Sequence, residues 1–387
     1  MQDMYTAGDV NTQPNTQSFR SVLLAWSLTG RRNRKYSEPA ALRAQHILEW
    51  MVWLHNAGEN DLARPDAECF DIVLHTWAAS GHQDASRKTE KLLLWMEQLY
   101  EDGNELVKPR ISELNQVLMA WSRSREKGSA QWAHDILRRV ERISEEVGNE
   151  DIRPNGTSYG AVAYAWAKSA EKNSSRKAES ILKIMEQRYM SGELALRPYT
   201  GIFNVVIESF AKSNDFRAYT CARAVLDRQI VLYQSGLRCC KPDVYGYTSV
   251  ISSCAATAGP RTHRLKAFDV AEATFRELCL SDYGSPNHVT FGTMLKACAY
   301  LLPPGCERRS RLTKEFFLHC IQMGCVGDMV LTRLKDAASP SLYNQLLGSI
   351  EKNDLPLGWT WNIPDDKQHK KWRKGKRRKH RNNVTSS

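Results

Sequence analysis

Apolar residues along this chain fall into paired stripes with helical spacing. Tyr159, Val162 and Trp166 lie three and four residues apart, and a polar stretch separates them from a second stripe that ends before Pro198. The second stripe consists of Ala178, Ile181, Leu182 and Met185. Residues three and four apart share one face of a helix. The pattern therefore predicts two amphipathic helices followed by a proline turn.

The same landmarks recur along the chain. Seven prolines are separated by 51, 44, 45, 44, 44 and 44 residues: Pro14, Pro65, Pro109, Pro154, Pro198, Pro242 and Pro286. Five residues later come Phe19, Phe70, Leu114, Tyr159, Phe203, Tyr247 and Phe291, and eight later Val22, Val73, Val117, Val162, Val206, Val250 and Met294. Twelve later come Trp26, Trp77, Trp121, Trp166, Phe210, Cys254 and Cys298. A two-helix unit repeated at this period predicts an all-α solenoid.

The period divides the chain into three parts. Residues 1–325 are predicted to form the repeat array, with a half repeat at 1–13 and seven repeats starting near 14, 65, 109, 154, 198, 242 and 286. Residues 326–362 are predicted to form a C-terminal helical cap, and 363–387 a disordered basic tail. Residues 1–8 match 96–103 and 185–192, which end second helices. We therefore expect the chain to be a fragment whose N-terminus is truncated.

The charge is concentrated at one end of the chain. The net charge is +11, but residues 367–381 have ten Lys/Arg and no Asp/Glu, which leaves the remainder at +1. Affinity of the repeats for a polyanion must therefore depend on where their charges lie. No apolar run approaches the roughly 18 residues of a membrane span, which predicts a soluble protein that does not contact membranes.

No pattern of residues indicates catalysis. The ten cysteines form no CxxC pair and the ten histidines no metal-ligand spacing. There is no glycine-rich phosphate loop, no nucleophile elbow and no HxE…CxxC set of a zinc deaminase. The sequence thus predicts a non-enzyme without metal or cofactor. Cys254 and Cys298, at the tryptophan position, are predicted to be small buried apolar residues.

With its paired helices and Lys/Arg-Pro-Asp/Asn turns, the array resembles pentatricopeptide repeat proteins. The likeness covers about residues 1–325 and is clearest in KPDVYGYTSVISSC and RPYTGIFNVVIESFAKS, although that family's repeat is shorter, about 35 residues. The resemblance implies a right-handed superhelix of antiparallel helix pairs, present as a monomer, that binds single-stranded RNA with one base per repeat. It also implies organellar RNA processing, stability or translation, in mitochondrion or plastid, with protein partners that could be recruited to the RNA.

The resemblance further implies which residues contact RNA. In that family, a base is read by the residue after the anchor aromatic together with the residue after the next proline. The pairs that match are Asn115 with Asn155 for a pyrimidine, Asn204 with Asp243 for uracil, and Thr248 with Asn287 for adenine. Tyr245 and Val289 occupy the position that stacks beside a base. Fourteen residues after the proline, where the family points a cation at phosphate, lie Arg123, Lys168 and Lys212.

Each assignment has a structural alternative. The three cations could be solvated side chains near negative helix ends, and Asn115 and Asn204 could bond a neighbouring helix. The tryptophan column has the phase of the core, which favours packing over base stacking. The competing function is a protein-interaction scaffold, similar to tetratricopeptide repeats, that binds a peptide or helix. Prominent Glu68 and Glu208 would favour that scaffold, and an aligned row of the three cations would favour RNA.

Overall fold

The computed structural model describes residues 13–213, 215–348 and 355–363, which form seventeen α-helices and no β-strand. The protein is therefore all-α over this part of the chain. It divides into two compact units, Met1–Ser209 and Phe210–Ser387. The predicted half repeat before residue 13 and the basic tail after residue 363 lie outside the described residues.

Seven helices each begin two residues after one of the spaced prolines, and we call them first helices. They are α1 (Thr16–Arg32), α3 (Ala67–Ser80), α5 (Ile111–Arg123), α7 (Gly156–Lys168), α9 (Thr200–Ala211), α11 (Val244–Ala255) and α13 (His288–Leu301). The second helices are α2 (Ser37–Asn56), α4 (Ala85–Glu101), α6 (Ser129–Val147), α8 (Ser174–Met190), α10 (Ala218–Gln234), α12 (Arg261–Leu280) and α14 (Glu307–Gln322). Three shorter helices follow: α15 (Asp328–Ala337), α16 (Pro340–Leu347) and α17 (Leu357–Thr360).

Local chemistry explains where the first helices start. In several repeats the residue after the proline caps the helix: Asp66 Oδ1 accepts a hydrogen bond from the Cys69 N–H at 3.0 Å, and Asn155 Oδ1 accepts one from the Thr157 N–H at 3.0 Å. Such caps satisfy backbone donors that have no partner within the helix. After α8, Gly192 has φ of +108°, the positive backbone angle expected of a glycine that closes a helix.

Short 3₁₀ turns, which the periodicity did not predict, precede five of the prolines. They are Asp61–Ala63, Glu105–Val107, Glu150–Ile152, Leu194–Leu196 and Arg238–Cys240. In the first two, an asparagine also reaches back one repeat: the Asn60 Nδ2 donates to the Pro14 carbonyl at 2.8 Å and the Asn104 Nδ2 to the Pro65 carbonyl at 3.3 Å. These bonds tie the start of each repeat to the start of the repeat before it.

Within each unit the first helices lie side by side. In the first unit, consecutive helices from α1 to α8 pack together, and α1 also packs on α3, α3 on α5 and α5 on α7. In the second unit, consecutive helices from α10 to α15 pack together, and α11 packs on α13 and α13 on α15. Equivalent surfaces of successive first helices are thereby brought next to each other within each unit.

Three tryptophans of the recurring column are core residues. Trp77, Trp121 and Trp166 are buried. The Trp77 Nε1 donates to Gln45 Oε1 at 2.9 Å and the Trp166 Nε1 to His134 Nδ1 at 3.2 Å, so both bond to the second helix of the preceding repeat. A buried indole cannot stack on a base, and the packing interpretation of these three residues is confirmed.

Val22 and Trp26 are less buried than the equivalent residues of later repeats. Val22 is 46% exposed and Trp26 is half-buried, whereas α1 buries the neighbouring Phe19 and Leu23. In later repeats the equivalent valines are covered because the second helix of the preceding repeat packs against the first helix, as α2 does against α3.

The cysteines at the tryptophan position are packing residues. Cys254 and Cys298 are fully buried, and burial raises the pKa of each thiol to about 12. Their thiols are therefore neutral and unreactive at physiological pH. Over the described residues, His, Cys, Asp and Glu form no group that could hold a metal ion. None of the helices in that part of the chain has an apolar stretch long enough to cross a membrane.

Candidate nucleic-acid interface

The start of every first helix presents one residue to solvent. Three residues after the proline, the side chain or backbone is exposed in all seven repeats: Gln17, Glu68, Ser112, Thr157, Gly201, Tyr245 and Val289. Only the last two have apolar side chains large enough to cover a base, and Tyr245 is 51% exposed. Both lie in the second unit, on α11 and α13, which pack against each other.

The first predicted base-reading pair comes together and bonds to itself. The Asn115 Nδ2 donates to Asn155 Oδ1 at 3.4 Å, and the Ser158 hydroxyl donates to Asn115 Oδ1 at 2.7 Å. Asn155 Oδ1 also accepts the Thr157 and Ser158 N–H groups. Asn115 is buried, so its amide is committed to the neighbouring helix, as the structural alternative for this residue proposed.

Other repeats of the first unit have different residues at the position of Asn115, directly after the anchor aromatic. In the first repeat, Arg20 forms ion pairs with Asp66 and, at 2.7 Å, with Glu68. In the fourth repeat, a Cβ atom added at Gly160 would lie 2.7 Å from the Tyr199 hydroxyl, so the tyrosine occupies that space. Arg20 thus contacts the start of the next first helix, and Tyr199, just before the next first helix, fills the space beside Gly160. Both contacts join neighbouring repeats.

In the second unit, a third residue links the predicted adenine-reading pair. The Thr248 hydroxyl lies 2.8 Å from that of Thr290, which in turn donates to Asn287 Oδ1 at 3.2 Å. Asn287 caps α13 by accepting the Val289 N–H at 2.9 Å, and its side chain is exposed. The Asn287 Nδ2 has no hydrogen-bond partner in the described part of the chain. This pair therefore retains a donor that faces solvent.

The two members of the predicted uracil-reading pair belong to different units. Asn204 is buried in α9 of the first unit. Asp243 caps α11 of the second unit, where its Oδ1 accepts the Gly246 N–H at 2.9 Å.

The three predicted phosphate-binding cations are all exposed, but their surroundings differ. Arg123 Nη1 donates to the Ala78 carbonyl at 3.1 Å and forms no ion pair with a described residue. Lys168 Nζ lies 3.6 Å from a carboxylate oxygen of Glu208 and 5.5 Å from the Tyr164 ring centre. Lys212 lies in the turn after α9. Arg123 and Lys168 both lie in the first unit. Lys168 is offset by a carboxylate, whereas Arg123 has no carboxylate partner among the described residues.

Three of the four carboxylates on the described first helices of the first unit are ion-paired or buried. Glu68 is paired with Arg20 and Glu208 with Lys168. Glu113 is fully buried and accepts the Arg110 N–H at 2.9 Å. Burial, followed by the charge of Glu113, raises the pKa of half-buried Asp71. The charges that remain exposed on these helices without a carboxylate partner among the described residues are Arg31, Arg32 and Arg123.

Sequence reasoning did not single out Arg31 or His75. His75 lies ten residues after Pro65, and burial lowers its pKa, as do the charges of Arg31 and Arg123. The sequence did contain a signal in the spacing of these residues. The position of α5 equivalent to His75 lies four residues before Arg123, so the two positions share one face of a first helix. A lone histidine gave no reason to look for neighbours 44 and 48 residues away.

No protein-family model matches the sequence, and no curated protein matches it significantly. The assignment of function therefore depends on the residues and their arrangement.

Proposed function

We propose that this chain is a single-stranded RNA-binding repeat protein whose helix pairs form a right-handed α-solenoid similar to pentatricopeptide repeats. The even spacing of the prolines and the side-by-side packing of first helices within each unit support that arrangement. By the same resemblance, we propose that it acts as a monomer without catalysis, in mitochondrion or plastid, on the processing, stability or translation of transcripts. It would do so alone or by recruiting other proteins to the RNA.

The distribution of charge on the first helices of the first unit is the observation that favours RNA. Glu68 and Glu208, whose prominence would indicate a protein ligand, are each paired with a cation. Arg31, Arg32 and Arg123 are exposed and lack such partners among the described residues. A surface with exposed arginines and neutralised carboxylates attracts the phosphate backbone of a nucleic acid.

The two units would contribute differently to recognition. In the first unit, Asn115 and Asn155 bond to each other, so binding there would depend mainly on phosphate contacts and little on the base. In the second unit, exposed Tyr245 and Val289 lie beside Thr248 and Asn287, so base selection would be concentrated there. Stacking on an aromatic side chain is typical of single-strand recognition.

A protein-interaction scaffold is the second candidate. Large apolar side chains are exposed on second helices, including Trp53 at 57% and Trp132 at 56%. Exposed tryptophans are typical anchors of protein interfaces. These residues lie on other helices than the exposed arginines, so they do not favour a peptide ligand at the first-helix surface.

The test is binding of purified protein to labelled single-stranded RNA, measured by fluorescence anisotropy, against a duplex of the same sequence. We expect tighter binding to the single strand and a steep dependence on salt. Crosslinking to RNA in cells, followed by sequencing, would then identify the transcripts. Failure to bind any single strand at low salt would refute the proposal and favour the scaffold.

A further inference from the structure

Three neighbouring first helices bring basic side chains together at one place in the first unit. Arg31 is in the last turn of α1, His75 is in α3, and Arg123 is the last residue of α5. α3 packs against both α1 and α5. The Arg123 guanidinium donates to the carbonyl of Ala78, three residues after His75, which places it over the end of α3. We call Arg31, His75 and Arg123 the three-helix basic cluster.

Among the described residues, no carboxylate forms an ion pair with a member of this cluster. Asp71 lies one turn before His75 on α3, and the groups that lower its pKa are Gln116 and Arg110. Burial lowers the pKa of His75, and the charges of Arg31 and Arg123 lower it further. No carboxylate of the described residues acts on the imidazole, and no charged group of α2 or α4, which also pack against α3, does so. The two arginines are exposed and His75 is half-buried, so an anion can reach the cluster from solvent.

Helix capping explains only part of the cluster. A cation near the C-terminus of a helix is stabilised by the helix dipole, and Arg123 satisfies a terminal carbonyl of α3 in this way. Arg31 also lies in a last turn, that of α1, where the dipole favours a cation. It makes no hydrogen bond or ion pair with a described residue, so capping does not explain why it lies beside His75. Guanidinium groups on either side of an imidazole offer donors in several directions, as a tetrahedral oxyanion requires.

We propose that Arg31, His75 and Arg123 form a binding site for a phosphate group. Under the proposed function, on which the source of the phosphate rests, this group is one phosphodiester of the bound RNA strand. The binding of phosphate itself requires only the cluster.

A bound phosphate would change the protonation of His75. Burial, followed by the charges of the two arginines, lowers the pKa of His75 below its ordinary value of 6.5, so the free imidazole is neutral at pH 7. An anion beside it favours the charged form. Binding at this site therefore takes up a proton, and affinity should rise as the pH falls from 7.5 to 6. Phosphodiesters stay ionised over that range, so the RNA contributes no titration of its own to the change.

The main experiment compares Arg31→Gln and Arg123→Gln with Arg87→Gln. Arg87 is an exposed arginine on α4 that is paired with Glu126, so its replacement removes the same charge elsewhere. With a labelled 12-nucleotide single-stranded RNA, each cluster variant should bind about tenfold more weakly. Its salt slope should fall by about 0.7. Arg87→Gln should leave both quantities near wild type. Circular dichroism melts establish that all variants are folded.

A second measurement tests His75 itself. His75→Gln should bind RNA nearly as well as wild type at pH 7.5 and lose the gain in affinity at pH 6. NMR titration of the His75 imidazole, with inorganic pyrophosphate as the probe, should show a higher pKa when the probe is bound. The His75→Gln spectrum identifies the signal.

The outcomes separate this inference from the proposed function. If wild type binds RNA and both arginine variants bind equally well, the phosphate site is refuted and the function stands. If pyrophosphate raises the His75 pKa but no RNA binds, the site stands and the function fails. If a phosphate-free polyglutamate peptide binds with the same dependence on the three residues, the ligand is an acidic protein segment and the phosphate assignment is overturned.

Discussion

The side-chain amide of Asn115 lies 3.4 Å from that of Asn155, which caps the next first helix. The resemblance implies that these two residues read one base of RNA together, and in the structure they share a hydrogen bond. Ser158 reinforces the contact by donating its hydroxyl to Asn115 Oδ1 at 2.7 Å. A base that entered here would have to displace these bonds, so we interpret the pair as a link between repeats.

Asn155 should therefore matter for stability and not for base preference. Asn155→Ala removes the cap of α7 and should lower the free energy of unfolding by about 1 kcal/mol. Asn155→Asp retains an acceptor for the Thr157 and Ser158 N–H groups and should be milder. Urea denaturation measures both. In a selection over randomised RNA, Asn155→Asp should return the wild-type preference; a changed base at one position would restore the base-reading interpretation.

Two buried tryptophans provide a matched test of the core. The Trp166 Nε1 donates to His134, whereas the buried Trp121 Nε1 has no acceptor among the described residues. Replacement by Phe removes a similar volume from both. Trp166→Phe should destabilise more than Trp121→Phe by roughly 1 kcal/mol, because it also leaves His134 Nδ1 without its donor. Chemical denaturation decides this, and equal losses would contradict the assigned hydrogen bond. Trp166→Ala should cost about 3–5 kcal/mol.

Asp71 should make stability depend on pH in a predictable direction. Burial and the charge of Glu113 raise its pKa in the folded protein above the ordinary value of 3.8. Ionisation of Asp71 therefore opposes folding. The protonated carboxyl contributes its full stability below pH 3.8, and this contribution is lost as the pH rises through the pKa of Asp71 in the folded protein. Asp71→Asn should stabilise the protein at pH 7 by roughly 0.5 kcal/mol, since solvent screens a half-buried charge, and have no effect at pH 3.

The control for Asp71 is Glu68→Gln on the same helix. Glu68 is exposed and paired with Arg20, so its replacement should not stabilise the protein at pH 7. Thermal melts of the variants across pH 3 to 7 compare the two sites. Equal gains from both substitutions would show that net charge, and not the burial of Asp71, sets the effect.

The second unit should determine base preference. Under the proposed function, Thr248→Asn combined with Asn287→Asp should shift preference at one nucleotide from adenine toward uracil, a discrimination of roughly 1–3 kcal/mol. Aspartate retains the cap that Asn287 provides to α13, so the variant should fold. Tyr245→Ala should weaken binding to all sequences by loss of stacking. A selection that returns the wild-type preference for the double variant would count against base reading by this pair.

The basic tail should add affinity without selectivity. Truncation after Pro364 removes ten Lys/Arg, so binding to any single strand should weaken. The salt slope should fall by up to about 0.7 for each phosphate that the shortened chain no longer neutralises. Base preference should persist. Anisotropy titrations at several salt concentrations test this, and loss of preference with unchanged affinity would reverse the assigned roles.

Periodicity alone was enough to predict the helix pairs and most of the core. Helices begin two residues after each spaced proline because proline turns and capping side chains act locally. Trp166 and Cys254 are buried because their spacing places them on the apolar face of a helix, whatever that face contacts. The exposure of Arg123, Lys168 and Lys212 followed from the same periodicity.

The contacts between repeats were decided by the tertiary structure. Lys168 is offset by Glu208, 40 residues later, while Arg123 is not offset, although both occupy the same position of the repeat. Val22 is exposed, whereas Val73 and Val162, at the same position of the repeat, are buried. Arg31, His75 and Arg123 converge only because α1, α3 and α5 pack in a row. Periodicity specifies the face of a helix on which a residue lies, but the distance between charges on different helices depends on how those helices pack.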